Sequence, residues 1–244
     1  MKRILALCLL VFCASSVEAK VKLPAVLSDN MVLQRNTNVN LWGTATPNKT
    51  VTISPSWDKK KYTTKADSDG KWKTTVPTTE AGGPYAIIFD DGEKTALSNI
   101  LLGEGWVCSG QSNMEMPVAG FMSQPVAGAE DEILDAYQHP NIRMFTVPRC
   151  ASDTPKDDCE SKWLCSNPGS VRTFSAVGYF FGKTLNKVLN VLIGLITTNW
   201  GGTVIEAWMN RNTLDGIEGR NAKVEEGYKG QTWLRCYITE WCFL

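Results

Sequence analysis

The sequence predicts an α/β protein with a mostly parallel sheet and helical crossovers, preceded by a small antiparallel β-sandwich. Three observations carry this. Residues 20–100 alternate apolar and polar positions in short runs; after Asn99 the runs become continuously apolar and are separated by helix-length segments; and two glycine-bearing loops follow predicted strands in that second part.

In the first part, Val39 and Leu41, Val51 and Ile53, Trp72, Thr74 and Val76, and Tyr85, Ile87 and Phe89 each alternate as half-buried strands do. Pro47-Asn48, Ser68-Asp69-Gly70, Gly82-Gly83-Pro84 and Asp90-Asp91-Gly92 read as the turns between them. In the second part, residues 101–108 supply a strand. Residues 130–137 form a helix with Ile133 and Tyr137 four apart, stopping before Pro140. A second strand covers 142–147. An amphipathic helix covers 174–190 and presents Phe174, Val177, Phe181, Leu185, Val188 and Leu189, and a buried strand covers 191–197. The expected organisation is therefore a β-sandwich accessory domain over 20–100, an α/β domain over 101–225 and an off-pattern tail over 226–244.

With 244 residues and 43% hydrophobic content, the chain can bury a sizeable core. Its 25 basic and 25 acidic residues cancel, and no Lys/Arg cluster interleaves with aromatics, which argues against nucleic acid or an anionic membrane surface as partner. A neutral partner or substrate fits this balance better. Lys2 and Arg3, the apolar run 4–14 and Val17-Glu18-Ala19 read as an export signal over 1–19, with Lys20 as the mature start. The run is too short for a span, which needs about 20 apolar residues. The mature chain is expected to be exported, periplasmic or extracellular, without membrane insertion. Cys108, Cys150, Cys159, Cys165, Cys236 and Cys242 would then meet an oxidising compartment; a local bridge within Cys150, Cys159 and Cys165 is allowed, with the pairing open. No CxxC spacing occurs and His139 is the single histidine, so no metal is expected.

The stretch "WVCSGQSNMEMP" places Ser112 after Gly110 and Gln111 and before Asn113, just beyond a predicted strand. Asn199-Trp200-Gly201-Gly202-Thr203 follows another, and open α/β sheets bind ligands beyond the carboxyl ends of their strands. A serine hydroxyl attacks only when a base takes its proton and donors stabilise the oxyanion that forms. Glycines beside Ser112 let the backbone turn and bring N–H groups close. Taken on Gly-Gln-Ser-Asn alone, a turn serine satisfied by local backbone hydrogen bonds explains the motif equally well.

Together, "GEGWVCSGQSNMEMP", "FSAVGYFFGKTLNKVLNVLIGLITTNWGGTVIEAWM" and "LPAVLSDNMVLQ" resemble the bacterial sialate O-acetylesterases, members of the SGNH hydrolase superfamily. The resemblance covers residues 21–210. It implies an SGNH-hydrolase-like three-layer fold and a carbohydrate esterase that removes O-acetyl groups from sialic acid or related sugars through an acyl-enzyme, with no cofactor. Carried onto this chain, Ser112 would be the nucleophile and its N–H one oxyanion donor, with Gly201 or Gly202 another. Gly110, Gln111 and Asn113 would support the loop. Trp200 and Trp208 offer a flat face to a sugar or pack beneath the loop.

Family members continue to a segment like Gln-Gly-Glu-Ser-Asn and to a late Asp-x-x-His pair, and neither is found here. The expectation is a C-terminally truncated or frame-shifted chain whose usual base is missing. His139 is the one histidine candidate for that role, and a lone histidine at a helix end is more often structural. Glu104, Glu115 and Glu206 lie near the two loops in sequence, as a lone carboxylate base or a glycosidase pair would. Glu130-Asp131-Glu132 reads as a solvated helix start favoured by the helix dipole. The non-enzymatic alternative is an inactive fragment whose β-domain binds carbohydrate or another protein.

Overall fold

The computed structural model describes residues 20–150 and 156–204, together with Trp208, Met209 and Gly216. The expected leader, the 226–244 tail and Cys236, Cys242 and Glu206 lie outside the described residues. The strands are β1 (Val32–Gln34), β2 (Asn38–Thr44), β3 (Thr50–Pro55), β4 (Tyr62–Lys65), β5 (Lys71–Pro77), β6 (Gly82–Asp90), β7 (Lys94–Gly110), β8 (Ile142–Thr146), β9 (Leu164–Cys165) and β10 (Ile193–Asn199). The helices are α1 (Ser112–Glu115), α2 (Ala129–Asp135), α3 (Pro168–Arg172) and α4 (Ala176–Leu189). Among the described residues, eight strands form one mixed sheet in the order β4-β3-β6-β7-β10-β8-β9, with β1 also paired to β7, while β2 and β5 form a separate antiparallel ribbon.

Strand β7 joins the two halves of the molecule. Its first half runs antiparallel to β6, from Asp90 opposite Lys94 to Gly82 opposite Leu102. Its second half runs parallel to β10, from Glu104 opposite Ile193 to Gly110 opposite Asn199. Near the change of partner, Asn99 takes a left-handed φ of 55°, a conformation that asparagine tolerates better than most residues. The change in sequence rhythm after Asn99 therefore marks a change of strand partner within one continuous strand.

The alternation read in the first part corresponds to burial. Val39, Leu41, Val51, Ile53, Val76, Ile87 and Phe89 are fully buried, and they share one core with Leu97, Ile100 and Leu102 of β7. That core continues into the parallel strands through Phe145 and Ile196, and includes Trp163, whose indole N–H donates to the Val26 carbonyl at 2.8 Å. Period-two alternation sends Ile142, Met144, Ile193 and Leu195 to the opposite face, where they pack with Ile133, Val171 and Tyr179 from α2, α3 and α4. Among the described residues the helices thus cover one face of the parallel strands, and the N-terminal β core covers the other.

Local chemistry sets the helix ends. Asn167 caps α3 by accepting N–H bonds from Gly169 (2.9 Å) and Ser170 (3.2 Å), with Pro168 in the first turn. Ser175 Oγ accepts the Gly178 N–H at the start of α4, and Asn190 closes that helix in a left-handed conformation with φ 52°.

Three elements differ from expectation. Gly82-Gly83-Pro84 does not make a turn but opens β6 with a register shift; a Cβ on Gly83 would lie 2.9 Å from the Ile100 carbonyl oxygen, so the glycine allows close approach to β7. Of the six apolar residues expected inward at α4, Phe174 is buried and Leu185 packs on the core, whereas Val177, Phe181, Val188 and Leu189 are exposed, and the buried residues of the helix are Ala176, Gly178, Tyr179 and Gly182. A Cβ on Gly182 would lie 2.6 Å from Leu195 Cδ1, so this helix sits too close to the sheet for its bulky face to turn inward. The 130–137 helix is α2 followed by a 3₁₀ turn (Ala136–Gln138), and it buries Ile133 and Ala136 while Tyr137 is exposed, because the tighter turn rotates Tyr137 off the packed face.

Two predictions follow from these contacts. A Cβ on Gly103 would lie 2.1 Å from the Leu192 carbonyl oxygen, a backbone atom that cannot step aside, so Gly103→Ala should cost about 3 kcal/mol by denaturant unfolding. Glu104 is half-shielded: burial alone would raise its carboxyl, but hydrogen bonds from Gln34 (3.0 Å) and Arg35 (2.8 Å) and the Arg35 charge hold it below the ordinary carboxylate value. A depressed folded-state value gives stability that is present above the unfolded value and lost as pH falls through the folded one. Glu104→Gln should therefore lower the melting temperature near pH 7, and the gap to wild type should close on acidification to about pH 3.

Candidate active site

Strands β7, β10 and β8 run parallel, with Gly110 opposite Asn199 and Thr197 opposite Thr146. Their carboxyl ends therefore align, and three loops leave the sheet side by side. Ser112 follows β7, Trp200-Gly201-Gly202 follows β10, and Arg149 follows β8.

Ser112 opens the four-residue helix α1, where first-turn N–H groups have no partner within the helix. Backbone bonds fix this helix on the start of α4: Ala176 N–H donates to Met116 O at 2.8 Å and Val118 N–H to Phe174 O at 2.9 Å. The β10 loop is tied to it at several points. Trp200 N–H donates to Gly110 O at 3.1 Å, Asn199 Nδ2 donates to Met114 O at 3.1 Å, and Gln111 Nε2 donates to Thr203 O. Asn113 is exposed on α1.

The two candidate glycines occupy different places. A Cβ on Gly201 would lie 3.1 Å from Ser112 Oγ and 2.5 Å from Glu115 Oε2, so this residue faces the serine directly. Gly202 has a left-handed φ of 77° and open space where a Cβ would point. The Gly201 N–H donates to Glu115 Oε2, and the other oxygen of that carboxylate pairs with Arg149. Arg149 in turn lies over the Trp200 ring, 5.9 Å from its centroid. Trp208 Nε1–H donates to Thr203 Oγ1 at 2.9 Å, which turns its polar edge toward the same loop.

Glu115 and Arg149 are the site residues that sequence reading underweighted or missed. Glu115 is four residues beyond Gln111, whose carbonyl accepts its N–H at 2.9 Å. Arg149 obeys the same rule that singled out Ser112 and Trp200, a position just past a strand's carboxyl end, and that rule applied to 142–147 points to it.

Other expected neighbours lie elsewhere. His139 precedes the amino end of β8, whereas Ser112 follows the carboxyl end of β7, so the five residues of β8 separate their levels by about 17 Å. His139 Nε2 meets Asp135 Oδ2 at 2.9 Å, and Asp135 also accepts from Lys183 Nζ at 2.7 Å. The hydrogen bonds from Lys183 and His139 hold the Asp135 carboxyl below its ordinary value. Glu104 begins the parallel half of β7, six residues before the carboxyl end that Ser112 follows, and its carboxylate is taken by Gln34 and Arg35 rather than turned to Glu115. Glu130 pairs with Arg172 at 3.0 Å on the surface.

Comparison with known proteins gives the same direction. The mouse sialate O-acetylesterase is 30% identical over 217 residues, which cover 82% of this chain and 39% of the mouse protein. The human sialate O-acetylesterase is 31% identical over 209 residues, covering 77% and 38%. The chain is a homologue of the sialate O-acetylesterases. It spans about two fifths of the length of these curated relatives. A crystal structure of a carbohydrate acetylesterase from Xanthomonas citri superposes with a TM-score of 0.76 at 32% identity, covering 90% of this chain and 48% of that one. No family model matches the sequence.

Within this homologue of the acetylesterases, Cys108 lies on β7 near the serine but is buried, and burial pushes its thiol up to about 11. The thiolate is the reactive form, so at neutral pH this cysteine is inert. Mass-spectrometric mapping after iodoacetamide treatment at about pH 8 should find Cys108 unmodified in the native protein and modified in guanidinium.

Proposed function

We propose that this chain carries the nucleophile and part of the oxyanion site of a carbohydrate O-acetylesterase. The observation that carries the reading is the placement of Ser112 on the first turn of α1, at the aligned carboxyl ends of the parallel strands, with Gly201 facing its hydroxyl. The homology to proteins named sialate O-acetylesterase and the similarity to a carbohydrate acetylesterase support the same reaction.

In this reading, Ser112 Oγ attacks the acetyl carbonyl carbon of an O-acetylated sugar, sialic acid among them. Negative charge gathers on the carbonyl oxygen, and the backbone N–H groups of Ser112 and of the loop after β10 stabilise it. Collapse of the tetrahedral species breaks the ester C–O bond, and the sugar oxygen departs as a hydroxyl carrying the proton that Ser112 gave up on attack. Water then cleaves the acetyl-Ser112 ester to give acetate and the free serine. The position of His139 at the opposite end of the sheet argues against it as the proton acceptor. Trp200 and Trp208 give the sugar an apolar face beside the serine. We further propose that the fold is of the SGNH-hydrolase type with an N-terminal β-sandwich module, and that residues 1–19 direct export to the periplasm or beyond.

Acetate release from 4-nitrophenyl acetate and from 9-O-acetylated sialic acid by wild type and Ser112→Ala tests the reading. Substitution should reduce turnover at least about 10³-fold. Equal rates in the two proteins would refute it. Gly201→Ala, whose added methyl meets Glu115 and Ser112, should lower kcat about 10²-fold while leaving the melting temperature within a few degrees of wild type.

A further inference from the structure

We propose that Glu115 is the positioning residue of this site, the group that holds the β10 loop and the β8 loop against the nucleophile helix. The inference rests on the reading of Ser112 as nucleophile and adds a residue to which that reading gives no task.

Three loops meet at the site, and their principal common partner is one carboxylate. Glu115 ends the helix that Ser112 begins, so its backbone position is fixed relative to the serine. One of its oxygens accepts the Gly201 N–H, and the other pairs with Arg149. Its side chain is only 12% exposed, whereas that of Arg149 is 52% exposed. A carboxylate so withdrawn from water is costly unless its charge is matched and its lone pairs are filled, and here both conditions depend on the loops staying where they are. If Gly201 moved away, Glu115 would lose a charge-assisted hydrogen bond. The carboxylate thus makes loop displacement unfavourable, and the loop it restrains faces Ser112 Oγ.

The same contact assigns the N–H groups. While Glu115 accepts the Gly201 N–H, that group serves the loop rather than a substrate oxygen. Oxyanion stabilisation then falls to the first-turn N–H groups of α1 and to Gly202. Glu115 is therefore neither the base for Ser112 nor half of a glycosidase pair. It acts through Gly201.

The experiment combines kinetics with a direct view of the hydrogen bond. In full-length protein labelled with ¹⁵N-glycine, the Gly201 amide proton should resonate downfield, as N–H donors to carboxylates do, and should move upfield in Glu115→Ala. Its resonance is identified by its loss in Gly201→Ala. For 4-nitrophenyl acetate, Glu115→Ala should lower kcat about 30-fold with KM within about threefold of wild type. Glu115→Gln, which keeps an oxygen acceptor for the Gly201 N–H, should recover most of that loss. A Gly201 resonance indifferent to Glu115→Ala would overturn the proposal, as would unchanged kcat in that variant. Equal defects in Glu115→Gln and Glu115→Ala, with loss of the acidic limb of the pH–rate profile, would also overturn it by making Glu115 a base. If the wild type shows no Ser112-dependent turnover, the esterase reading fails on its own, and the amide resonance still decides whether Glu115 holds the loop.

Discussion

A single strand of 17 residues, β7, serves two sheets' worth of partners, and the rest of the molecule is arranged around that constraint. Its first half needs an antiparallel partner, which a hairpin through Asp91-Gly92 supplies at once. Its second half needs a parallel partner, which can only arrive after a long crossover. The chain inserts 82 residues between Gly110 and Ile193, and they contain β8, β9 and the helices α1 to α4. Because the strand is continuous, the two halves cannot tilt independently. The core reflects this: Trp163 and Phe145 from the crossover pack with Leu33, Val39 and Phe89 from the N-terminal strands.

The site follows from the same geometry. Parallel strands that start in register also end in register, so the loops after β7, β8 and β10 emerge together although they lie far apart in sequence. The interior behind them is apolar, with Cys108, Leu195 and Ile193 buried, and polar groups cluster where the strands stop. Glu115 and Arg149 bring opposite charges to that rim. A carboxylate between a backbone N–H and a guanidinium is a rigid element, because each partner restricts it in a different direction. Such rigidity suits a loop that must present N–H groups at a fixed distance from a serine oxygen.

Much of the fold was legible because burial in strands leaves a period of two that nothing else produces. Val39 and Leu41, Val51 and Ile53, and Ile87 and Phe89 show that period, and each pair is buried. The turns at Gly70 and Gly92 were legible because left-handed backbone favours glycine. The failures have equally local causes. Gly82-Gly83-Pro84 has turn composition, but its glycines serve close strand approach. Helix α4 has an obvious apolar stripe, yet it buries the face with Ala176, Gly178, Tyr179 and Gly182, where Gly182 lets the helix approach Leu195 of the sheet more closely than a larger residue would. Periodicity reports that a helix has two faces without saying how near the sheet lies.

Residue pattern alone located β2, β3, β5, most of β6, the second half of β7, β8 and β10, the turns at Gly70 and Gly92, the positions of Ser112 and Trp200-Gly201-Gly202 just past strands, and a resemblance that the homology to the sialate O-acetylesterases upholds. Those are properties of short segments, fixed by side-chain pattern and backbone preference. It takes the assembled sheet to show that Gly201 rather than Gly202 faces the serine, that Arg149 enters from a third loop, that Glu115 joins all three, and that His139 lies at the other end of the sheet. Each of these depends on strand order and register, which arise from pairings such as Ile193 with Glu104 and with Ile142, far apart in the chain, and leave no periodic trace in it.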